Sequence, residues 1–154
     1  DLGTSKAEAA AVRLSRLNPG GRIDLADCRL TEENASGLLD GFDVVVDCTD
    51  NYATRYVIDG FCAAHRVPMV YGTAEQTGGQ VSVFHTKGAG GYRDLYPVRP
   101  EQKPVVGVLS PVVGAVGSSQ ALATVNLLSG LGSTLAGRLL MFDGLTMNFR
   151  IFEI

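Results

Sequence analysis

The chain has 154 residues, 45% of them apolar and 19% charged, with a formal net charge of -3. That length suits one domain with a real core and hardly two, the mild acidity leaves no basic footprint for nucleic acid, and neither a membrane span nor a signal-peptide pattern is read along it. Cys28, Cys48 and Cys62 are scattered, odd in number and set among apolar residues, which fits a reducing compartment better than a disulfide framework, so a cytoplasmic location is expected.

The chain opens at Asp1, directly before a helix. Ser5 and Glu8 form a capping-box pattern, Ala7, Ala10, Ala11, Leu14 and Leu17 recur on one face, and Asn18-Pro19-Gly20-Gly21 stops the helix. A strand is expected around Arg22 to Ala26, then a helix after Thr31 with Glu32 and Glu33 in its first turn, where acids complement the dipole. Phe42-Asp43-Val44-Val45-Val46 is a short β-branched run that reads as a buried strand, and Ala53, Val57, Phe61 and Ala64 then repeat at helical spacing. Pro68 to Thr73 and Gly79 to His85 read as strands around a turn at Thr77-Gly78-Gly79.

From Thr86 to Pro111 periodicity fades among glycines and prolines, and this stretch is expected to be a mobile crossover loop. A long helix follows over Val112 to Leu131, where Gly114 and Gly117 would let another backbone come close. Arg138 to Asp143 and Asn148 to Ile154 finish the chain as strands around a turn at Asp143-Gly144. The alternation predicts an α/β fold: a Rossmann-like, mostly parallel sheet flanked by helices, with antiparallel strands toward the C-terminus and its first strands missing.

The loop after the valine strand is the place to look for chemistry, because open parallel sheets bind small molecules just outside the carboxyl ends of their strands. Asp50 and Asn51 lie there. Asp50 offers hard oxygens to magnesium, and the first N–H groups of the following helix favour phosphates. Asp50 as a plain helix cap explains the same position equally well. His65 closes a helix and His85 ends a strand, and both read as structural.

The run Val44-Val45-Val46-Asp47-Cys48-Thr49-Asp50-Asn51-Tyr52-Ala53-Thr54-Arg55 resembles the signature of the ThiF, MoeB and HesA family, bacterial relatives of ubiquitin-activating enzymes. The likeness continues through Val67-Pro68-Met69-Val70-Tyr71-Gly72, Gly79-Gln80-Val81-Ser82-Val83-Phe84, Gly107-Val108-Leu109-Ser110-Pro111 and Gly117-Ser118-Ser119-Gln120-Ala121, in order along nearly the whole chain. The resemblance implies transfer of AMP from ATP onto the C-terminal Gly-Gly carboxylate of a ubiquitin-like sulfur-carrier protein. In it Asp50 corresponds to the magnesium-linked aspartate, and Lys6 to the lysine that contacts ATP phosphates. Asn51 contacts nucleotide or caps the helix, Arg55 holds the incoming carboxylate or pairs with Asp59, and Thr49 joins the cofactor-binding residues or only shapes the loop. A homodimer is implied as well.

Departures from the family pattern carry their own expectations. Where many members have the first Cys-x-x-Cys of a zinc site this chain has Gly91 and Asp94, and no second pair follows, so no zinc site is expected. Lys103 stands about where some relatives keep a cysteine for a sulfur step. The family's glycine-rich nucleotide loop, ribose-binding acid and arginine-bearing segments would all precede Asp1, so the chain reads as a single, partial domain over residues 1–154, the later part of such an enzyme. The competing reading is a non-catalytic carrier-docking or dimerisation module of the same fold. A nicotinamide-binding half-domain is a weaker third, since the dinucleotide fingerprint is missing.

Overall fold

A computed structural model describes residues 2–101, 107–132 and 134–154. Along the chain come α1 (Lys6–Leu17), α2 (Glu32–Leu39), β1 (Val45–Asp47), α3 (Tyr52–His65), β2 (Met69–Glu75), β3 (Gly78–Phe84), α4 (Tyr92–Leu95), α5 (Ser110–Ser129), β4 (Arg138–Asp143) and β5 (Asn148–Glu153). The chain divides into two units, residues 1–31 and residues 32–154. In the first, the Ser5 hydroxyl accepts the Glu8 N–H at 3.1 Å and starts α1 as its pattern predicts. The strand expected over Arg22 to Ala26 does not form. Extended backbone needs a ladder partner, and among the described residues none pairs with this segment; Arg22 instead bonds its neighbour Asp24 at 3.1 Å, both exposed.

The second unit is built on a five-stranded sheet in the order β1-β2-β3-β4-β5. β1 and β2 run parallel, with Val45 beside Met69 and Asp47 beside Tyr71. The other three pairings are antiparallel. The described sheet is thus mixed rather than mostly parallel, and the reason is local. Glu75 pairs with Gly78, so Gln76 and Thr77 alone join β2 to β3, and so short a connection can only return the chain antiparallel. Gln76 supplies the left-handed step at φ +53°. Gly78, expected only in the turn, belongs to β3 together with Gly79, the expected start of that strand.

Both faces of β2 are covered, which is why Met69-Val70-Tyr71 is apolar without alternation. Val70 packs with Val83 and Ala123 on the α5 side. Tyr71 lies in an aromatic layer with Phe84 and Tyr92, at ring separations of 5.7 and 5.3 Å. Tyr92, in the stretch expected as loop, is buried, and its helix α4 ends where the Tyr96 N–H bonds the Tyr92 carbonyl. α5 has 20 residues and is apolar enough to cross a bilayer, a span not anticipated from the sequence. Only part of it is taken into the fold, where Val112, Val116, Gln120 and Ala123 are buried, while Val113, Leu122, Val125 and Leu128 stay exposed.

α5 approaches the sheet where glycine leaves room. A Cβ on Gly79 would lie 2.2 Å from Val116 Cγ2 and 3.1 Å from the Thr73 carbonyl. Gly79→Ala is therefore expected to destabilise the protein by about 1–3 kcal/mol through overpacking, read as a lower urea midpoint. Gly114 and Gly117 meet nothing within 4 Å among the described residues. Alanine at either should be neutral or stabilising in the same measurement, since it gains helix propensity without a clash.

The buried face of α3 differs from the predicted one. Arg55, Tyr56, Ile58, Asp59, Phe61 and Cys62 point inward, while Ala53 and Ala64 are exposed. Reading apolar spacing alone missed this because two charged residues are taken into the interior, each with a partner of opposite sign.

Candidate functional site

The loop between β1 and α3 is held by a buried carboxylate. Asp47 is 0% exposed; its Oδ1 accepts the Thr49 N–H at 2.9 Å and the Thr49 hydroxyl at 2.6 Å, and its Oδ2 accepts Arg55 Nε at 2.7 Å. Arg55 donates a second bond from Nη2 to the Thr49 carbonyl at 2.6 Å, and its guanidinium lies over the Tyr71 ring, 4.9 Å from the centroid. Gln120 of α5 closes the arrangement by donating from Nε2 to the Asp47 carbonyl at 2.7 Å.

Against that fixed background Asp50 is exposed, and among the described residues no hydrogen bond or ion pair ties it down. The cap of α3 is Asn51, whose Oδ1 accepts the Thr54 N–H at 2.9 Å. Of the two readings open for each residue, capping belongs to Asn51 and leaves Asp50 with both oxygens available. Thr49 shapes the loop. Arg55 pairs neither with Asp59 nor outward but with Asp47, and is 3% exposed. Lys6 is the exposed first residue of α1, in the other unit. A cleft of about 200 Å³ opens at the first turn of α3, lined by Tyr52, Ala53, Arg99, Pro100 and Glu101. Lys103 lies outside the described residues.

A second buried carboxylate organises the start of the crossover. Asp59 accepts from His85 Nε2 at 2.8 Å and from the Tyr92 N–H at 2.7 Å, and forms an ion pair with Arg93 Nε at 3.2 Å. At the two positions where the resemblance would put zinc-binding cysteines, the Gly91 N–H donates to Asp94 Oδ2 at 2.7 Å. A Cβ at position 91 would sit 2.4 Å from His85 Cε1, so a cysteine there is incompatible with this packing. His85 is thus a structural partner of Asp59, and His65 stacks on Phe61.

The cysteines divide by environment. Cys28 and Cys48 are exposed, against the expectation that all three sit among apolar neighbours, and Cys62 is buried. Burial, with Asp59 and Asp47 nearby, pushes the Cys62 thiol up to about 12. Burial and then Asp47 raise Cys48, partly offset by its hydrogen bond to Gln120. At pH 8 the Cys62 thiolate fraction is about one in ten thousand, so native alkylation followed by mass spectrometry should label Cys28 first, Cys48 more slowly, and Cys62 only after unfolding.

Asp47, Asp59 and Gln120 are the residues sequence reading missed. The first had a usable signal: Val45 and Asp47 share the inward side of a strand of period two, which put a carboxylate at a core position. For Gln120 the contact spans 73 residues and leaves no local trace.

The ThiF family model matches residues 1–154. The adenylyltransferase and sulfurtransferase MOCS3 of Drosophila willistoni is 42% identical over 159 residues, covering 99% of this chain, and the protein of the same name from Anopheles gambiae is 40% identical over 158. The chain spans 35% and 36% of those two relatives. Among solved structures, Escherichia coli MccB with ATP superposes with a TM-score of 0.82 at 12% identity, covering 99% of this chain and 48% of that one. PaaA gives 0.80 at 13%, covering 100% and 49%. With the signature loop intact and the match running end to end, the chain belongs to the ThiF family.

Proposed function

We propose that this chain forms the later part of an adenylation site that transfers AMP from ATP to the C-terminal glycine of a ubiquitin-like sulfur-carrier protein, in a thiamin- or molybdopterin-type route. The observation that carries the reading is Asp50, a carboxylate unpaired among the described residues, on a hydrogen-bonded loop outside the end of a parallel strand. The MOCS3 relatives, named as adenylyltransferase and sulfurtransferase, support adenylation and sulfur transfer. Support for a protein substrate comes from MccB, which has been solved with MccA as well as with ATP.

Asp50 fits a magnesium ion as a single hard-oxygen ligand, and Asp47 does not, because both its oxygens are occupied inside the fold. Magnesium, when bound there, supplies charge neutralisation for the ATP phosphates. The chain's own residues do the rest by positioning. Asn51 caps α3, whose first N–H groups favour an anion, Arg99 places a guanidinium in the adjoining cleft, and Arg55 serves as a positioning residue acting through Asp47 and Thr49. Lys6 keeps its proposed contact with ATP phosphates.

The docking-module alternative drew on the lost zinc ligands. The Gly91–Asp94 bond and the Asp59 cluster hold that segment by hydrogen bonds, so the loss of metal ligands does not argue for loss of activity. A homodimer is part of the proposal, supported by the exposed Val113, Leu122, Val125 and Leu128 along α5, and free cysteines support a cytoplasmic location. The deciding experiment is ATP–pyrophosphate exchange in the presence of a carrier tail ending in Gly-Gly, compared between wild type and Asp50→Ala.

A further inference from the structure

We infer that Gln120 of α5 is a positioning residue for the Asp50 loop, a role that rests on the adenylation reading. The side chain is buried and every polar atom on it is used. Its Nε2 donates to the Asp47 carbonyl at 2.7 Å and to the Val70 carbonyl at 3.3 Å, while its Oε1 accepts from Cys48 Sγ at 3.8 Å. One amide therefore binds the carboxyl end of β1, the neighbouring β2 and the first residue of the signature loop to a single helix.

The fold makes room for this contact. A Cβ on Gly72 would lie 2.2 Å from Gln120 Cδ, so the glycine is what lets the amide lie across β2. Arg55 holds the same loop from the other side through the Thr49 carbonyl. Among the described residues Asp50 makes no bond of its own, so its direction is set by what its neighbours are fastened to. Removing the Gln120 amide frees the Asp47 carbonyl and Cys48 while leaving the Asp47–Arg55 pair in place. That isolates loop position from the buried charge pair.

Four variants test the inference in the whole protein: Gln120→Ala, Gln120→Glu, Gly72→Ala, and the double Gly72→Ala/Gln120→Ala. Glutamate keeps the shape but turns an acceptor toward two carbonyls. The readouts are tail-dependent pyrophosphate exchange as a function of magnesium concentration, and amide hydrogen exchange at residues 49–51. Gln120→Ala and Gln120→Glu should lower exchange activity about 10- to 100-fold, raise the magnesium midpoint, and speed hydrogen exchange in the loop. Gly72→Ala should act the same way by evicting the amide, and the double variant should be no worse than Gln120→Ala, because the collision is gone.

Faster hydrogen exchange with an unchanged magnesium midpoint would overturn the positioning role, as would an unaltered loop in Gln120→Ala. Additive losses in the double variant would refute the shared contact. If Gln120→Ala does not fold, Gln120→Glu and Gly72→Ala decide by the same two readouts. A wild type that lacks tail-dependent exchange defeats the adenylation reading and the catalytic consequence together, and hydrogen exchange then tells that failure from failure of the contact itself.

Discussion

Asp50→Ala is expected to reduce tail-dependent pyrophosphate exchange by at least about 10²–10³-fold while moving the urea midpoint hardly at all. The size follows from the reaction. A carboxylate attacking the α-phosphate brings two anions together, and removing one preorganised electrostatic contribution from such a site typically loses two to three powers of ten, about 2.7–4 kcal/mol. The small effect on stability follows from the geometry: the side chain is exposed and unpaired among the described residues, and surface substitutions away from special contacts stay within about 0.5 kcal/mol. Asp50→Asn should also be severely impaired, because it keeps the size and loses the charge that would meet a hard cation. Retained exchange in either variant would remove Asp50 from the site and leave the family membership standing without its proposed centre.

What the sequence made legible was whatever is decided locally. Ser5 with Glu8 set the start of α1, and the β4–β5 hairpin follows from alternation on either side of Asp143-Gly144. The signature loop was found because its residues are contiguous. The misses share a cause, namely contacts between distant segments that override local pattern. The apolar spacing of α3 marks its buried face only in part, at Phe61, because Arg55 and Asp59 are charged yet buried, and their partners Asp47, His85 and Arg93 lie on other elements. Residues 22–26 have strand composition and no strand partner among the described residues. Gly79 reads as the residue where turn meets strand, and its packing role was not legible because Val116, which it accommodates, arrives from α5. Which of Asp50 and Asn51 caps α3 was left open for a related reason: either side chain can cap a helix, and which one does so depends on where the Asp47 clamp sets the loop.

Arg55→Ala should be the most destabilising single change among the site residues, by about 3–5 kcal/mol, since it leaves the fully buried Asp47 carboxylate without its counter-charge. Set against a total stability of about 5–15 kcal/mol for a domain, that removes a large share of the folding free energy. Arg55→Lys keeps the charge but not the fork that reaches the Asp47 carboxylate and the Thr49 carbonyl together while lying over Tyr71, so it should recover only part of the loss. Asp47→Asn/Arg55→Leu removes both charges and should be less damaging than Arg55→Ala, which separates an orphaned charge from lost packing. The pH dependence has a definite sign. Burial alone would lower the arginine pKa, but Asp47, Tyr71 and the hydrogen bonds outweigh it and raise it above the ordinary value. Stability contributed by a group whose folded pKa is raised is fully present below its unfolded pKa and fades only as pH climbs through the folded one. Both values lie far into alkali, so the stability difference between wild type and the charge-free Asp47→Asn/Arg55→Leu protein should be constant across pH 6–9 in urea titrations. A difference that changed steeply within that window would mean that Asp47 is not held against a permanent positive charge, and the account of how the Asp50 loop is fixed would fail at its foundation.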